Sequence, residues 1–410
     1  VAVRGGAVAA VGRLTEDQVA GAEVFDAEGL VCTPGLIDMH VHVYAHATPL
    51  GIDPDTSCLG RGVTTVVDAG SAGASTLAGL RKFIAEPSTT RVLALVNISL
   101  HGLAAAGCTG GGTGGELDAL THVSVASAVA AAKENPEFVV GFKLRLSADC
   151  ANDGKNEVEA YKRATAAAEA AGLPLMVHHT FSSIPIAGPG GCPAGLRPGD
   201  IYTHTLHGFP STLVEKDPAF EGGCVKYCLA DVAKNARGRG VIFDVGHGAG
   251  SFSWTAAEIA AAEGFLPDVI STDLHKECYE GPAYDLPTVM SKFLHLGMSL
   301  PEVVRATTVT PAATIGWADR LGALAPGRVA DISLFKLEKP EGGVQVEDCQ
   351  SQLRTISELL TCVAVWKDGK QCAITRPTAF PLNKVTLSRG AGHWSKLLVR
   401  DPKRWTLPEC

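Results

Sequence analysis

The chain has 410 residues, of which 46% are hydrophobic and 19% charged, and this composition is typical of a globular protein and excludes a disordered one. Its 35 Lys and Arg residues against 43 Asp and Glu give a net charge of −8, which argues against a nucleic-acid-binding protein. No apolar run is long enough to span a membrane, so we expect no membrane partner. The 12 cysteines include no CxxC pair, which predicts scattered buried thiols and a cytoplasmic location.

The first 31 residues begin without Met and read as the middle of a strand–turn–strand, so we expect further residues to precede Val1. After them, apolar runs rich in Val and Ile alternate with helical patterns. Runs that are apolar on both faces are typical of parallel strands covered by helices. The runs are 35–43, 64–69, 91–100, 138–146, 173–179, 200–206, 241–245 and 268–274, and the predicted helices are 75–85, 118–135, 157–171, 222–236, 255–263 and 286–296.

This alternation predicts an α/β protein with a (β/α)8 TIM barrel over residues 32–319. An open doubly wound sheet is the alternative, but no GxGxxG follows the first strand. Residues 1–31 and 320–375 carry short strands instead, such as 7–11, 24–26 and 330–335, and a hairpin turn at Asp368-Gly369. We therefore expect a small β-sandwich domain built from both chain ends. Residues 376–410 show no clear periodicity and are predicted to be a C-terminal tail.

The first predicted barrel strand ends in the sequence His40-Val41-His42. Residues i and i+2 of a strand project to the same face, so both imidazoles are expected at the barrel mouth. Two imidazoles on one rigid element make half of a zinc site, although two polar residues at a strand end fit the same pattern. The glycine-rich segment 102–116 follows the third strand and is expected to form a long loop on the same rim.

Further polar residues stand at or just after the ends of the later strands, namely Lys143, His178, His179, His204, His247 and Asp273. The carboxyl ends of barrel strands converge on one rim, so we expect these side chains to meet there. Strand parity alone does not decide whether His178 or His179 faces the mouth. Lys143 lies in an apolar strand, where burying a cation is costly. Its amine either reaches the surface or is neutral and captures carbon dioxide, which gives an anionic carbamate able to bridge two metals.

The set HxH, Lys, His, His and Asp at strand ends resembles the amidohydrolase superfamily with its binuclear metal centre. The segments 34–40 and 321–331 match the usual beginning and end of the barrel in that superfamily, and the resemblance covers about residues 1–375. Within it, 62–71, 199–204 and 243–248 resemble the deacetylase or dihydroorotase-like branch. The resemblance implies two divalent metals, expected to be zinc, with ligands distributed as follows: His40, His42 and Asp273 on the first, His178 and His204 on the second, and carboxylated Lys143 bridging both together with a hydroxide.

The resemblance also implies roles for residues around the metals. Asp273 is expected to be the general acid and base that moves the proton during hydrolysis. Arg145 shares a strand face with Lys143 and either clamps a substrate carboxylate or forms an internal ion pair. His247 is expected to contact substrate, and so is the stretch of Gly70, Ser71 and Gly73 through its backbone amides. Three further residues complete the set: Asp38 either orients a ligand imidazole or serves a turn, and His207 and His275 lie behind the ligands or are structural.

These residues predict a metal-dependent hydrolase that cleaves the amide or ester bond of a small N-acyl or O-acyl compound, in the manner of a deacetylase. A cyclic-amide hydrolase resembling dihydroorotase or hydantoinase uses the same metals and is the alternative. A scaffold protein that has lost catalysis is disfavoured because all six metal positions are filled. The expected partner is a small acyl substrate, and the sequence leaves a homo-oligomer open.

Overall fold

A computed structural model describes residues 1–104, 114–209, 211–217 and 227–376. The strands, β1 to β17 in chain order, are Ala2–Arg4, Ala7–Ala10, Val31–Pro34, Leu36–Val41, Val63–Gly73, Arg91–Asn97, Val139–Leu146, Leu175–His179, Ile201–Thr203, Val214–Lys216, Tyr227–Leu229, Ile242–Phe243, Ile332–Glu338, Val344–Glu347, Leu353–Ile356, Leu359–Lys367 and Lys370–Cys372. The α-helices, α1 to α10, are Glu16–Val19, Pro54–Ser57, Leu77–Leu80, Val125–Glu134, Glu157–Ala171, Asp231–Gly238, Trp254–Ala262, Leu286–His295, Leu300–Ala306 and Val309–Thr314.

Seven strands form one curled parallel sheet in the order β4-β5-β6-β7-β8-β9-β12. Their residues are buried on both faces, as the eleven buried residues of β5 illustrate, because helices cover one face and packed side chains fill the other. Each of these strands falls on one of the predicted apolar runs, with ends that differ by a few residues. The architecture is a TIM-barrel-like α/β fold.

The eighth predicted strand, 268–274, is not a continuous strand. It contacts its two neighbours through isolated parallel bridges, Asp244 with Val269 and Val41 with Leu274. Between these bridges Thr272 donates its backbone N–H to the Asp38 carboxylate, and Asp273 has a left-handed φ of 47°. The ladder is interrupted at this point because the backbone turns to present Asp273 at the end of the sheet.

The helices follow the predicted positions with differences at their ends. Helix α5 has the predicted bounds and ends at Gly172, whose φ of 66° suits a helix terminus. The predicted helix 75–85 is a short α3 followed by a π-helical turn at Arg81–Ala85. Of the predicted helix 222–236, residues 222–226 lie outside the described residues, Tyr227–Leu229 pairs with β10 as a strand, and α6 covers the part from Asp231 onwards. Within the described ranges no helix has the length and apolar character needed to cross a bilayer.

Both ends of the chain contribute to one small antiparallel sheet with the strand order β17-β16-β13-β3. The hairpin between β16 and β17 turns at Asp368 and Gly369, whose φ values of 51° and 77° are those that the predicted two-residue turn requires. Residues 24–26 were expected to form a strand and do not, since the Asp26 carboxylate accepts the Glu28 N–H in a local turn. A second layer that would make this sheet a sandwich stays a prediction, as do the domain bounds, and residues 377–410 of the predicted tail lie outside the described residues.

The small sheet is attached to the amino-terminal side of the parallel sheet. Strand β3 runs almost directly into β4, and Gly35 N–H donates to the Asp331 carbonyl at 2.8 Å. The Arg91 guanidinium at the start of β6 bonds the carboxylates of Asp331 at 2.6 Å and Asp368 at 2.9 Å. This attachment fixes where β4 begins and therefore where its far end, with His40 and His42, points.

Candidate metal centre

A cavity of ≈ 70 Å³ lies at the carboxyl ends of the parallel strands. We call its strand-end residues the floor and its loop-side residues the rim. The floor consists of His40, His42, Ala69, Asn97, Lys143, His178, His204 and Asp273, and the rim of Leu50, Leu103, Glu116, Arg145, Ser147, Asp149, Thr180, Ala249, Gly250, Ser251, His275 and Glu277. All six side chains expected to bind metal therefore lie in one cavity.

Three of the floor residues form a compact group that could hold a metal ion. His40, His42 and Asp273 each offer one ligand atom, and these atoms all lie within 4.8 Å of one another. Asp273 Oδ1 is 3.3 Å from His40 Nε2 and 3.0 Å from His42 Nε2. Two imidazole nitrogens and a carboxylate oxygen are donors that zinc and similar divalent metals prefer.

The tautomer of His40 follows from the proton count behind it. The Thr203 hydroxyl donates its single proton to Asp244 Oδ2 at 2.7 Å. The same hydroxyl oxygen lies 2.9 Å from His40 Nδ1, and because its proton is already used, it can only accept a hydrogen bond from that nitrogen. His40 therefore carries its proton on Nδ1 and has a lone pair on Nε2. An outer hydrogen bond of this kind orients a metal-ligating imidazole and raises its basicity.

His204 is held in the same way, because its Nδ1 lies 2.6 Å from the Gly246 carbonyl, which only accepts. His42 Nδ1 lies 2.9 Å from Ser71 Oγ. In each case the remaining Nε2 is the nitrogen available to a metal. The residues present thus fit a bound divalent cation, because hydrogen bonds within the protein already orient each imidazole with its Nε2 available as a ligand.

His178, and not His179, faces the cavity. The centroids of the His178 and His204 rings are 4.3 Å apart. His178 Nε2 bonds Thr180 Oγ1 at 2.6 Å, so Nδ1 is the ring nitrogen that remains for a metal. His179 turns to the opposite face, where its ring nitrogens lie 3.2 Å from the Tyr202 hydroxyl and 2.8 Å from the Ile184 carbonyl.

Lys143 is buried in the floor, so its amine does not reach the surface. Only 3% of the residue is exposed, and its Nζ lies 3.0 Å from His40 Nε2 and 3.4 Å from Met176 Sδ. Gly70 packs directly on it: a Cβ at Gly70, whose φ is 85°, would lie 2.7 Å from Lys143 Cβ and Cγ. The glycine is thus required for the lysine to occupy this position.

Burial sets the charge of the floor. It lowers the pKa of His40 and of His178 well below the usual value, and that of His204 to about 4, so these imidazoles are neutral and able to bind metal. Burial opposes the charge of Asp273, but the adjacent His40 and His42 outweigh it and hold the pKa of that carboxyl well below its usual range.

Arg145 on the rim forms an internal ion pair, one of the two roles considered from the sequence. Its Nε and Nη2 each lie 2.7 Å from an oxygen of Glu116, whose side chain is fully buried. Such a bidentate pair fixes the plane of the guanidinium. Arg145 still lines the cavity, so a role in substrate binding stays open as a prediction.

The structure contradicts two of the expected contacts, those of Ser71 and His247. Ser71 does not line the cavity, because its hydroxyl bonds His42 from behind. His247 does not face substrate either: its ring stacks on Phe252 with centroids 4.6 Å apart, and its Nε2 lies 2.7 Å from Lys292 Nζ. Of the two roles left open for Asp38, the local one fits its contacts: the carboxylate accepts the His40 backbone N–H at 3.3 Å, the Thr272 N–H at 3.1 Å and the Thr272 hydroxyl.

Three functional neighbours were missed in the sequence. Asp244 and Thr203 support His40, and Glu116 holds Arg145. Asp244 lies in the predicted strand 241–245, and a carboxylate in an apolar strand is itself a sign of a functional site. Glu116 ends the glycine-rich segment 102–116, of which residues 105–113 lie outside the described residues, and no sequence pattern there indicates its pairing with Arg145. Of the two histidines expected behind the ligands, His275 lines the cavity, with Nε2 4.0 Å from Asp273 Oδ2, and His207 is fully buried.

Comparisons with known proteins identify the family of this chain. Residues 209–372 match the amidohydrolase family. A deacetylase of Agrobacterium fabrum is 35% identical over 332 residues, which is 81% of this chain and 76% of that protein.

Among solved structures, an adenine deaminase has a TM-score of 0.78 and 28% identity over 90% of this chain and 94% of its own. A dihydroorotase has a TM-score of 0.74 and 30% identity over 91% of both chains. These similarities extend over both the parallel sheet and the small sheet. The chain therefore belongs to the amidohydrolase family, in its deacetylase- and dihydroorotase-like branch, and is a hydrolase.

Proposed function

We propose that this protein is a binuclear metal-dependent deacetylase that removes the acyl group from a small N-acyl or O-acyl compound. The observation that carries the proposal is the convergence of six side chains from five strand ends, with His40 and His42 both at the end of β4, on one small cavity. The similarity to a deacetylase supports the choice of substrate class. Hydrolysis of a cyclic amide is the second candidate, and the similarity to a dihydroorotase favours it.

The metals, which we propose to be zinc, would supply an activated water and polarise the scissile carbonyl. His40, His42 and Asp273 would hold one ion, and His178 and His204 the other. Hydrogen bonds keep the proton of His40 and of His204 on Nδ1, and burial lowers the pKa of both rings, so each Nε2 is ready to bind a metal without rearrangement.

Asp273 is the residue that we propose to move the proton. Its Oδ1 is one of the three atoms of the first ligand group and lies 3.3 Å from His40 Nε2 and 3.0 Å from His42 Nε2. As the carbonyl is attacked, the carboxylate takes the proton released from water and then passes it to the leaving amine or alcohol. The products are a carboxylic acid and the free amine or alcohol, so the residue returns to its charged form after each turnover.

A substrate panel tests the reaction class. The zinc-loaded protein is assayed with N-acetyl amino acids and O-acetyl hydroxy acids, and in parallel with dihydroorotate and hydantoins. We expect turnover of at least one acetyl compound and a much lower rate with the cyclic amides. The reverse order would make the cyclic-amide reaction the function, and no turnover of either class would contradict both.

We further propose that Lys143 is carboxylated and bridges the two ions. Lys143→Ala is expected to lower the bound metal below two ions per chain and turnover by about 10³-fold, because several kcal/mol of charge stabilisation is removed. Elemental analysis measures the metal, and a short carboxylic acid added to the assay is expected to restore part of the activity. Full turnover in Lys143→Ala would contradict the bridging role.

A further inference from the structure

A lysine outside the metal centre is buried in a way that the proposed reaction does not explain. Lys292 lies on α8 and is fully buried. Its Nζ donates to His247 Nε2 at 2.7 Å, to the Glu347 carbonyl at 2.6 Å and to the Pro282 carbonyl at 3.0 Å. An ammonium has three protons, so all of them are used and the buried charge is fully hydrogen-bonded.

These three acceptors belong to three separate segments. His247 opens the 246–251 loop, Pro282 precedes α8, and Glu347 ends β14 beside the small sheet. Lys292 therefore joins the 246–251 loop, the segment before α8 and the end of β14, which pairs with β15 in a separate two-stranded sheet. Phe252 stacks on His247 and also lies under the ammonium, 5.3 Å from Nζ, which adds a cation–π contact.

The hydrogen bonds of His247 also fix its tautomer. Because Lys292 donates to Nε2, the His247 proton is on Nδ1, which donates to the Gly248 carbonyl at 2.9 Å. Burial lowers the pKa of His247 well below its usual value, so the ring stays a neutral acceptor. Burial also lowers the pKa of Lys292, to about 8, while the nearby Cys349, Asp348 and Glu347 oppose this shift.

The loop that His247 opens lies directly against the proposed proton carrier. Gly248 donates its N–H to the Thr272 carbonyl at 2.8 Å, and a Cβ on Gly248 would lie 2.4 Å from Asp273 Oδ2. The next three residues, Ala249, Gly250 and Ser251, form part of the rim. The backbone at Gly248 thus sets both the position of the Asp273 carboxylate and one wall of the cavity.

We propose that Lys292 is a positioning residue that holds the 246–251 loop against Asp273 through His247. This proposal rests on the proposed function in one respect, namely that Asp273 is the residue that moves the proton. A displacement of the loop would move the carboxylate relative to the reacting carbonyl, and a misplacement of about 1 Å is sufficient to cost up to 10²-fold in rate.

The test compares Lys292→Met with Ser291→Ala in the metal-loaded protein. Ser291 is a matched control because it is also fully buried on α8 and accepts the Leu360 N–H at 2.9 Å, but it does not bond the 246–251 loop. For Lys292→Met we expect kcat to fall at least about tenfold, KM to change less than about threefold, and the metal content to be unchanged. Hydrogen exchange of a peptide covering 246–253 is expected to become faster. Ser291→Ala is expected to change neither kcat nor this exchange rate.

If Lys292 had a purely structural role, both variants would have similarly lowered melting temperatures, and Lys292→Met would not lower kcat selectively relative to KM. That result would overturn the proposal. Because Asp273 is also a proposed metal ligand, kcat of Lys292→Met and of the wild type is compared at equal metal content. If Lys292→Met does not fold, His247→Phe decides, because it removes the acceptor and keeps an aromatic ring on Phe252, and the same loss of kcat is expected. A wild-type protein inactive on every substrate in the panel would contradict the proposed function, whereas the exchange measurement would still decide whether Lys292 holds the loop.

Discussion

The floor and the rim of the cavity are built in different ways. On the floor, His40 and His204 project from the ends of β4 and β9, and each Nδ1 bonds an oxygen of an adjacent segment. On the rim, Arg145 is fixed by Glu116, which comes from a loop 29 residues earlier in the chain. The floor imidazoles are oriented by hydrogen bonds from other barrel segments, whereas Arg145, although it lies on β7, is held by an ion pair with a residue outside the sheet. The difference indicates that floor substitutions should affect metal binding and chemistry, and rim substitutions substrate affinity.

The strongest test of the floor is Asp273→Asn. The amide keeps the size of the side chain but cannot accept the proton from water, so we expect kcat to fall by about 10³-fold. The measurement is steady-state turnover of the best acetyl substrate together with the melting temperature, which is expected to stay close to wild type. Asp268→Asn is the control, since Asp268 lies at the other end of the same segment, where it accepts the Phe243 N–H at 2.8 Å. Wild-type turnover in Asp273→Asn would exclude this residue from the proton transfer.

An intermediate effect is expected from Thr203→Val, which removes the hydroxyl between His40 and Asp244 without changing the shape of the side chain. The His40 tautomer is then no longer fixed, and we expect metal affinity at this site to fall about 10–100-fold. Competition with a chromophoric chelator measures this affinity.

Thr205→Val is the matched control, because Thr205 is a buried threonine of the same segment whose hydroxyl bonds the Asp244 carbonyl at 2.8 Å and no imidazole. Equal metal affinity in the Thr203 variant and the wild type would show that the hydrogen bond behind His40 is dispensable. In that case the floor would be no better supported than the rim.

The smallest effect is expected on the rim, from Glu116→Gln. The guanidinium of Arg145 loses a charged partner and part of its orientation, worth about 1 kcal/mol, so we expect KM to rise about fivefold. The metal content is expected to stay at the wild-type value.

Glu159→Gln serves as the control, because it breaks the exposed pair with Arg163 on α5, far from the cavity. Loss of metal from the Glu116 variant would contradict the separation of floor and rim. An unchanged KM would remove Arg145 from substrate binding.

The floor could be predicted because the direction of a strand residue follows from parity. His40 and His42 are two residues apart on one strand, and the structure brings both into the cavity. Parity failed between His178 and His179, since it leaves open which of two neighbours faces inwards, and the choice then depended on the family resemblance. The structure settles this orientation through the outward hydrogen bonds of His179.

The loop contacts could not be predicted in this way. His247 follows a glycine with a φ of 49°, and no periodicity fixes where a side chain points after such a turn. Its true partner, Lys292, lies 45 residues away on a helix. In the small sheet, by contrast, the Asp368-Gly369 turn was correctly predicted because its local sequence determines the backbone conformation.

The contact between Gly70 and Lys143 limits how this enzyme could be redesigned. Any substitution at position 70 would place a methyl group 2.7 Å from the lysine stem, on a backbone whose φ of 85° already disfavours a side chain. A mutant library that aims at new substrates should therefore keep this position constant, although it lies beside the cavity. The diversity is better placed at the rim residues Leu50, Leu103 and Ser251, which line the cavity and are not among the proposed metal ligands.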